Sequence, residues 1–374
     1  MNTTVRSYKI RLLPNQEQEQ NFLQHAGCAR FIWNWALNYQ LEDYKNGNKN
    51  ISGYNTIRLL TALKKEKDYL WLNNVSISTL QTVVLDLEKA YKRFFKKETK
   101  FPKFKSKKKS IKNFPIRSDR FYFKENFVQI SKIGKVKFQT NYNIPEAQYI
   151  NPRIKCINEK WILTFGIECE NQARELTDKS LGCDLGVKEL AVVACGEECF
   201  VFHNINKSKR MKTLNHKLKH LQRNQARKYR TNGNYEKTKG ILRVEKQIKE
   251  IYYHISCIRK NYLHQTTHKL IELLPKRVAM EDLNVSGMMK NKCLTRAISE
   301  QCFSEFIRQM KYKCEWNGIE FVQASRFFPS SKTCSCCGQI KKDLKLSDRV
   351  YKCDCGNVID RDYNAAINLM RYEA

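Results

Sequence analysis

Two cysteine pairs and a few isolated acids are the residues of this chain whose types and spacing could do chemistry. Cys334-x-x-Cys337-Gly338 and Cys353-x-Cys355-Gly356 are separated by fifteen residues. Zinc takes thiolates tetrahedrally, and a short loop between two cysteines lets both sulfurs reach one ion. A glycine after the second cysteine of each pair frees the backbone to curl round the metal. The fifteen residues between are enough for a β-hairpin, so the segment reads as a zinc ribbon. Cys336 competes with Cys337 as a ligand, and Gly338, by analogy with Cys355-Gly356, favours Cys337. The bland alternative is a set of buried reduced thiols. A metal held by four protein groups is closed, so it shapes a fold and leaves no position for catalysis.

The acids are Asp184 in Gly182-Cys183-Asp184-Leu185-Gly186, Glu281 after the apolar Val278-Ala279-Met280, and Asp360 and Asp362 on either side of Arg361. Singly, each reads as a strand residue or a helix cap. Their order along the chain is more specific. Three consecutive strands, a helical segment, a fourth strand ending in Glu and a last helix beginning with Asp is the order of an RNase H-like nuclease. In that arrangement carboxylates gather two divalent ions ~3.5–4 Å apart for phosphodiester hydrolysis. Hard carboxylate oxygens suit magnesium or manganese. His203, His216 and His254 show no partner pattern, and such chemistry needs no protein base.

The elements that must position these groups follow from periodicity. Residues 5–13 alternate as a strand that Pro14 ends. A helical stretch runs from about Asn15 to Ala90, where Leu80, Val84, Leu87, Tyr91 and Phe94 mark one helix face behind an N-cap at Ser76 or Ser78. Phe31, Trp33 and Trp35 read as core of this helical unit. A lysine run with Phe101 and Phe104 (96–112) is either a solvated linker or a phosphate-contacting loop. Short strands fill 119–168 and suggest a small barrel or sandwich, which the lone first strand can join. Residues 181–204 read as three strands. Lys207–Lys249 carries fifteen Lys/Arg against two Glu at helical spacing, broken at 231–234, and reads as a basic helical hairpin for nucleic-acid backbone. A strand is expected over 276–285, a helix over 300–316 and a strand over 319–324.

Composition supplies the partner. Against 37 Asp+Glu the 374 residues carry 69 Lys+Arg, a net charge of +32, which makes a polyanion the expected ligand. Nucleic acid is favoured over a membrane surface, because there is no apolar run of ~18 residues. The polar N-terminus lacks a signal peptide's apolar segment, which places the chain in the cytoplasm. There, fifteen cysteines argue for metal ligands and buried thiols over disulfides.

SSKTCSCCG (330–338) with LKLSDRVYKCDCGNVIDRDYNAAINL (344–369) resembles the C-terminal signature of TnpB-like proteins, which are transposon-encoded, RNA-guided DNA nucleases related to compact type V CRISPR effectors. GCDLGVKELAV and AMEDLNVSGM resemble the family's first two nuclease motifs, and VRSYKIRLLPNQEQEQNF with GCARFIWNWALN resembles its N-terminal region. The resemblance implies a multi-domain α/β plus all-β protein. A β-barrel (wedge) domain would span 1–13 and 112–176, a helical recognition lobe 14–111, a RuvC-like nuclease domain 177–328 and 360–374, and a zinc ribbon 329–359. The catalytic, magnesium- or manganese-binding acids fall on Asp184, Glu281 and an aspartate of the DRD motif. Asp362 is chosen because it begins the D-x-N-A-A helix, with Asp360 as its cap. The zinc ligands fall on Cys334, Cys337, Cys353 and Cys355, and the shortened second pair is the one departure from the pattern. The partners implied are a guide RNA from the transposon end and double-stranded target DNA, with the protein associated with the nucleoid. The alternatives are a nuclease-inactive, RNA-guided repressor on the same scaffold and a guide-independent, structure-selective nuclease.

Overall fold

The computed structural model describes residues 3–47, 52–171, 174–231, 233, 237–345 and 348–373. The chain forms two compact units, Met1–Glu170 and Asn171–Ala374.

In the first unit β1 (Thr3–Leu13) leads into α1 (Gln16–Lys45), α2 (Gly53–Leu63) and α3 (Ile77–Phe95). Asn15 starts α1 with a capping box: its Oδ1 accepts from Gln18 N at 2.8 Å, and Gln18 Oε1 accepts from Asn15 N at 3.1 Å. The α3 face predicted from spacing buries Leu80, Val84, Leu87 and Tyr91. Ser76 holds the N-cap position, but its hydroxyl pairs with Ser78 Oγ and leaves the helix amides alone. Strands β2 (Asn113–Pro115), β3 (Phe121–Lys124), β4 (Phe127–Ile130), β5 (Gly134–Gln139), β6 (Tyr149–Ile157) and β7 (Lys160–Glu170) follow. They form one sheet with β1, ordered β2-β6-β7-β1-β5-β4-β3. The first strand is therefore interior, antiparallel to β7 and β5. β2 lies within a segment that composition marked only as a lysine run and its margin. That run is pinned where it meets α1: Lys105 N donates to Asn34 Oδ1 at 2.8 Å, and Lys105 Nζ lies 3.4 Å from the Trp33 ring centre.

The second unit is built on β8 (Thr177–Leu185), β9 (Glu189–Cys195), β10 (Glu198–His203), β11 (Pro275–Glu281) and β12 (Glu320–Ala324), ordered β10-β9-β8-β11-β12. The first three are antiparallel, whereas β11 runs parallel to both β8 and β12. Between β10 and β11 lie α4 (Lys209–Thr231) and α5 (Lys239–Ile271). They pair through Met211, Leu218 and Leu221 against Val244, Ile248 and Ile251, so their basic faces stay in water. Of the break expected at 231–234, residues 232 and 234 lie outside the described residues.

Two expectations shift. The strand read over 276–285 ends at Glu281, because Asn284 Oδ1 accepts from Gly287 N and starts the short α6 (Val285–Met288). The helix read over 300–316 is two helices, α7 (Thr295–Gln301) and α8 (Phe303–Asn317), split by Cys302 at φ +57°. A hairpin of β13 (Val350–Lys352) and β14 (Val358–Asp360) then leads straight into α9 (Arg361–Met370).

The period-two geometry of β8 gives its two faces different work. Leu181, Cys183 and Leu185 join a core with Val278, Met280, Phe303 and Phe306. Gly182 and Asp184 face the other way, where Ala366 packs on Val192 and Ala194. Helix α9 presses so closely on β8 that a Cβ at Gly182 would overlap the backbone of Ala366 and Met370. Rigid backbone cannot yield as a side-chain tip can. Gly182→Ala is therefore expected to destabilise the second unit by about 3 kcal/mol or more. Thermal unfolding checks this, and an unchanged midpoint contradicts it.

Candidate active site and metal centre

Asp184 and Glu281 stand side by side. The register pairs Cys183 with Met280, so each acid is the next residue along its parallel strand. Asp362 enters from the first turn of α9. Burial drives the Asp184 carboxyl well above the usual carboxylate range, and the charges of Glu281 and Asp362 push it further, with Arg361 opposing. The buried Cys183 thiol is also pushed up, by burial and then by Asp184 and Glu281. Burial and then Asp360 raise Asp362, against Arg349, Arg361 and Lys188. The three acids, each half-buried, thus share one negative region. They are not in mutual contact as a set: among the described residues, the four cysteines are the one group of metal-binding side chains whose ligand atoms all lie within 4.8 Å of one another. Asp360 is occupied otherwise, its Oδ1 capping α9 by accepting from Asp362 N at 2.9 Å and Tyr363 N at 3.1 Å.

These residues fit a divalent cation. Asp184 is half-buried, yet desolvation and the neighbouring carboxylates both oppose its ionised form, and a bound cation relieves both. The donors are all hard oxygens, which selects magnesium or manganese over softer ions.

Ser330, Asn364 and Asn368 were not singled out in the sequence. Ser330 Oγ donates to Glu281 Oε1. The Ser330 carbonyl in turn accepts from Asn368 Nδ2 at 2.7 Å. Asn364 and Asn368 each donate to the Thr333 carbonyl at 2.7 Å, and Asn364 Oδ1 accepts from Ser335 N at 2.9 Å. Two buried asparagines four apart, on a helix face otherwise apolar, are the signal that pointed to them: buried amides demand partners. They join the acid-bearing helix to the start of the cysteine segment. The knuckle sets the loop that holds Glu281 and the helix that carries Asp362.

The cysteine cluster comprises Cys334, Cys337, Cys353 and Cys355, with Cys336 outside it and exposed. Sγ atoms of Cys334 and Cys355 lie 3.7 Å apart, and those of Cys337 and Cys353 3.6 Å. Tetrahedral zinc with Zn–S of about 2.3 Å has sulfur–sulfur edges of about 3.8 Å, so the set fits that ion. Each knuckle turns on a glycine in the left-handed region, Gly338 at φ +77° and Gly356 at φ +89°. The one-residue spacer in the second pair is thereby accommodated. Burial pushes the Cys334 thiol up, but hydrogen bonds from Asn357 and from the Cys337 and Cys336 amides outweigh it and bring the pKa to about 6, favouring a thiolate ligand.

Removing zinc with a strong chelator is expected to unfold the ribbon and lower the melting temperature of the second unit, because closed zinc sites couple to folding. Cys353→Ser should do the same; a variant with an unchanged melting curve contradicts the ligand assignment. Asp184→Asn should raise stability in metal-free buffer at neutral pH, since it removes a carboxyl whose charged form desolvation and its acidic neighbours disfavour. The sign with pH follows. A raised folded pKa means the folded state binds the extra proton, so the wild type loses stability as pH rises from about 4 towards the folded value. The advantage of Asp184→Asn should therefore shrink on acidification; a constant difference from pH 4 to 8 in chelator contradicts it.

Three family models match separate segments: a helix-turn-helix domain of the IS605 OrfB type over residues 1–49, the OrfB_IS605 model described as "Probable transposase" over 164–292, and a Cas12f1-like TNB domain over 303–369. The described part of the first segment folds as a strand and one long helix, β1 and α1, and so departs from that description. Two curated relatives carry the description "Putative RNA-guided DNA endonuclease". One, from Streptomyces pristinaespiralis, is 28% identical over 99% of this chain and 90% of that protein. The other, InsQ of Escherichia coli (strain K12), is 28% identical over 98% of this chain and 92% of that protein. A mimivirus protein, "TnpB-like protein L770" of Acanthamoeba polyphaga mimivirus, is 24% identical over 98% of this chain and 73% of its own. Among solved structures, the protein of a Cas12f1–sgRNA–target DNA complex matches with a TM-score of 0.62 at 14% identity, over 99% of both chains, which is a likeness of fold. Along nearly its whole length, and in three separate segments, the chain is similar to proteins described as putative RNA-guided DNA endonucleases and as TnpB-like.

Proposed function

We propose that this chain is a transposon-encoded, RNA-guided DNA endonuclease whose second unit carries a RuvC-like, RNase H-type nuclease interrupted by a zinc ribbon. The observation that carries the reading is the convergence of Asp184, Glu281 and Asp362 on one face of a sheet ordered β10-β9-β8-β11-β12. In this reading 1–13 and 112–176 form the wedge barrel, 14–111 the recognition lobe, 177–328 and 360–374 the nuclease and 329–359 the ribbon.

The carboxylates of Asp184, Glu281 and Asp362 would hold magnesium or manganese, which when bound would activate a water and offset charge on the leaving oxygen. Ser330 fixes one oxygen of Glu281 so that the other stays free for a ligand. Asp360 holds the first turn of α9, which keeps Asp362 in place. The basic α4–α5 hairpin contacts phosphates of the guide RNA or the DNA. Guide–target pairing supplies sequence specificity, while the first unit reads a short motif beside the target. The setting is cytoplasmic, on the nucleoid; among the described residues no helix is long and apolar enough to cross a membrane.

The test takes the full chain with its copurified RNA, sequenced, and a guide-matched DNA duplex with magnesium. Cleavage is expected, falling at least about a thousandfold in Asp184→Ala, Glu281→Ala and Asp362→Ala, and far less in Asp360→Asn. Guided binding without cleavage, the same in wild type and Asp184→Ala, would instead support a repressor. Cleavage with no defined RNA would support a structure-selective nuclease.

A further inference from the structure

Phe327 is 91% exposed, more than any other large hydrophobic residue among those described. Single exposed apolar side chains are ordinary on protein surfaces. Here the surroundings are not. The backbone on both sides of Phe327 is fastened. Phe328 N donates to the Ser325 carbonyl at 2.9 Å, and its ring packs edge-on against Tyr372 with centroids 4.8 Å apart. Ser325 N donates to Tyr372 Oη at 3.3 Å, and Thr333 N donates to the Pro329 carbonyl at 3.0 Å. The neighbouring Phe328 thus found a partner, while Phe327 is held out into solvent by a loop that has little freedom of its own.

That loop belongs to the carboxylate site at both ends. Arg326 Nη2 donates to Asp282 Oδ2 at 2.6 Å, and Asp282 follows Glu281 directly. Ser330, three residues beyond Phe327, donates to Glu281 itself. Three residues of extended chain reach at most about 11 Å. That is within reach of a few nucleotides of single strand. A planar apolar ring presented to water at this distance from acids that would hold phosphate-bound metals has one chemistry that suits it: the π-face of a nucleobase. Arg326 beside it pairs with Asp282 through Nη2, which holds its side chain along the loop while the Phe327 ring stands clear of both.

We infer that Phe327 is a base-stacking platform that seats an unpaired nucleotide of the single-stranded DNA passing over Asp184, Glu281 and Asp362. The inference rests on the nuclease reading above and adds the substrate's local form: the strand arrives unstacked, with one base on Phe327 and the phosphate a few nucleotides away at the acids. A duplex keeps its bases stacked on one another and leaves the ring nothing to bind.

Stacking one base on an aromatic ring is worth about 5- to 100-fold in affinity and tolerates any base. The test uses the full chain with its copurified RNA and guide-matched DNA carrying 2-aminopurine at successive positions of the non-target strand. In an Asp184→Ala background, which keeps the strand uncut, 2-aminopurine fluorescence should be quenched at one or two adjacent positions. Phe327→Ala should abolish that quench, and Phe327→Trp should keep it. With Asp184 intact, Phe327→Ala should lower cleavage about 5- to 100-fold, mostly through KM. Phe327→Trp and Phe327→Tyr should stay near wild type, and Phe327→Leu should behave as the alanine variant. All four should melt as wild type does, because the side chain is exposed. Equal quenching and equal cleavage in Phe327→Ala would overturn the inference, as would a leucine variant as active as wild type. The two readings fail separately: a wild type that does not cut removes the nuclease, whereas a wild type that cuts with an indifferent Phe327→Ala removes only the platform.

Discussion

Like charges held close together are the constraint on which the second unit depends. Asp184 is half-buried, and desolvation, Glu281 and Asp362 all raise the cost of ionising it. A fold that had only stability to serve would put an apolar residue there, because burying a charge without its partner is costly. Arg361 beside Asp184, and Arg349, Arg361 and Lys188 around Asp362, relieve the repulsion only in part. The remaining demand for positive charge is what a divalent cation meets. Strain of this kind belongs at a functional site, held in place by well-packed surroundings.

Those surroundings are specific. Gly182 and Ala366 let α9 approach the sheet at backbone contact, and buried Asn364 and Asn368 tie the same helix to the segment that opens the cysteine cluster. From there Ser330 reaches Glu281. The cysteines need play no chemical part. By holding one loop and one helix start, they fix two of the three acids relative to the third. The proposed platform at Phe327 draws on the same rigidity, since its ring is displayed by backbone that the site itself pins.

Much of this was legible in the sequence because periodicity and spacing are local. The alternation of β1, the spacing of Leu80, Val84 and Leu87, and the two cysteine pairs with their glycines each report geometry within a few residues. Placing α9 against Gly182 was not legible, because it depends on where a distant helix lands. The end of β11 at Glu281 was misread, since Leu283 and Val285 continue an apolar pattern while Asn284 starts a new turn. The break at Cys302 was also invisible, as no glycine or proline marks its left-handed backbone. Asn364 and Asn368 were readable in principle as polar residues on an apolar face, but their partners lie some thirty to forty residues away.

The central claim is that these three acids hold metal together. Soaking manganese into crystals of the full chain and collecting anomalous scattering tests it most directly. The account predicts two manganese peaks about 3.5–4 Å apart among the carboxylates of Asp184, Glu281 and Asp362. Manganese found elsewhere, with none at Asp184, would contradict it.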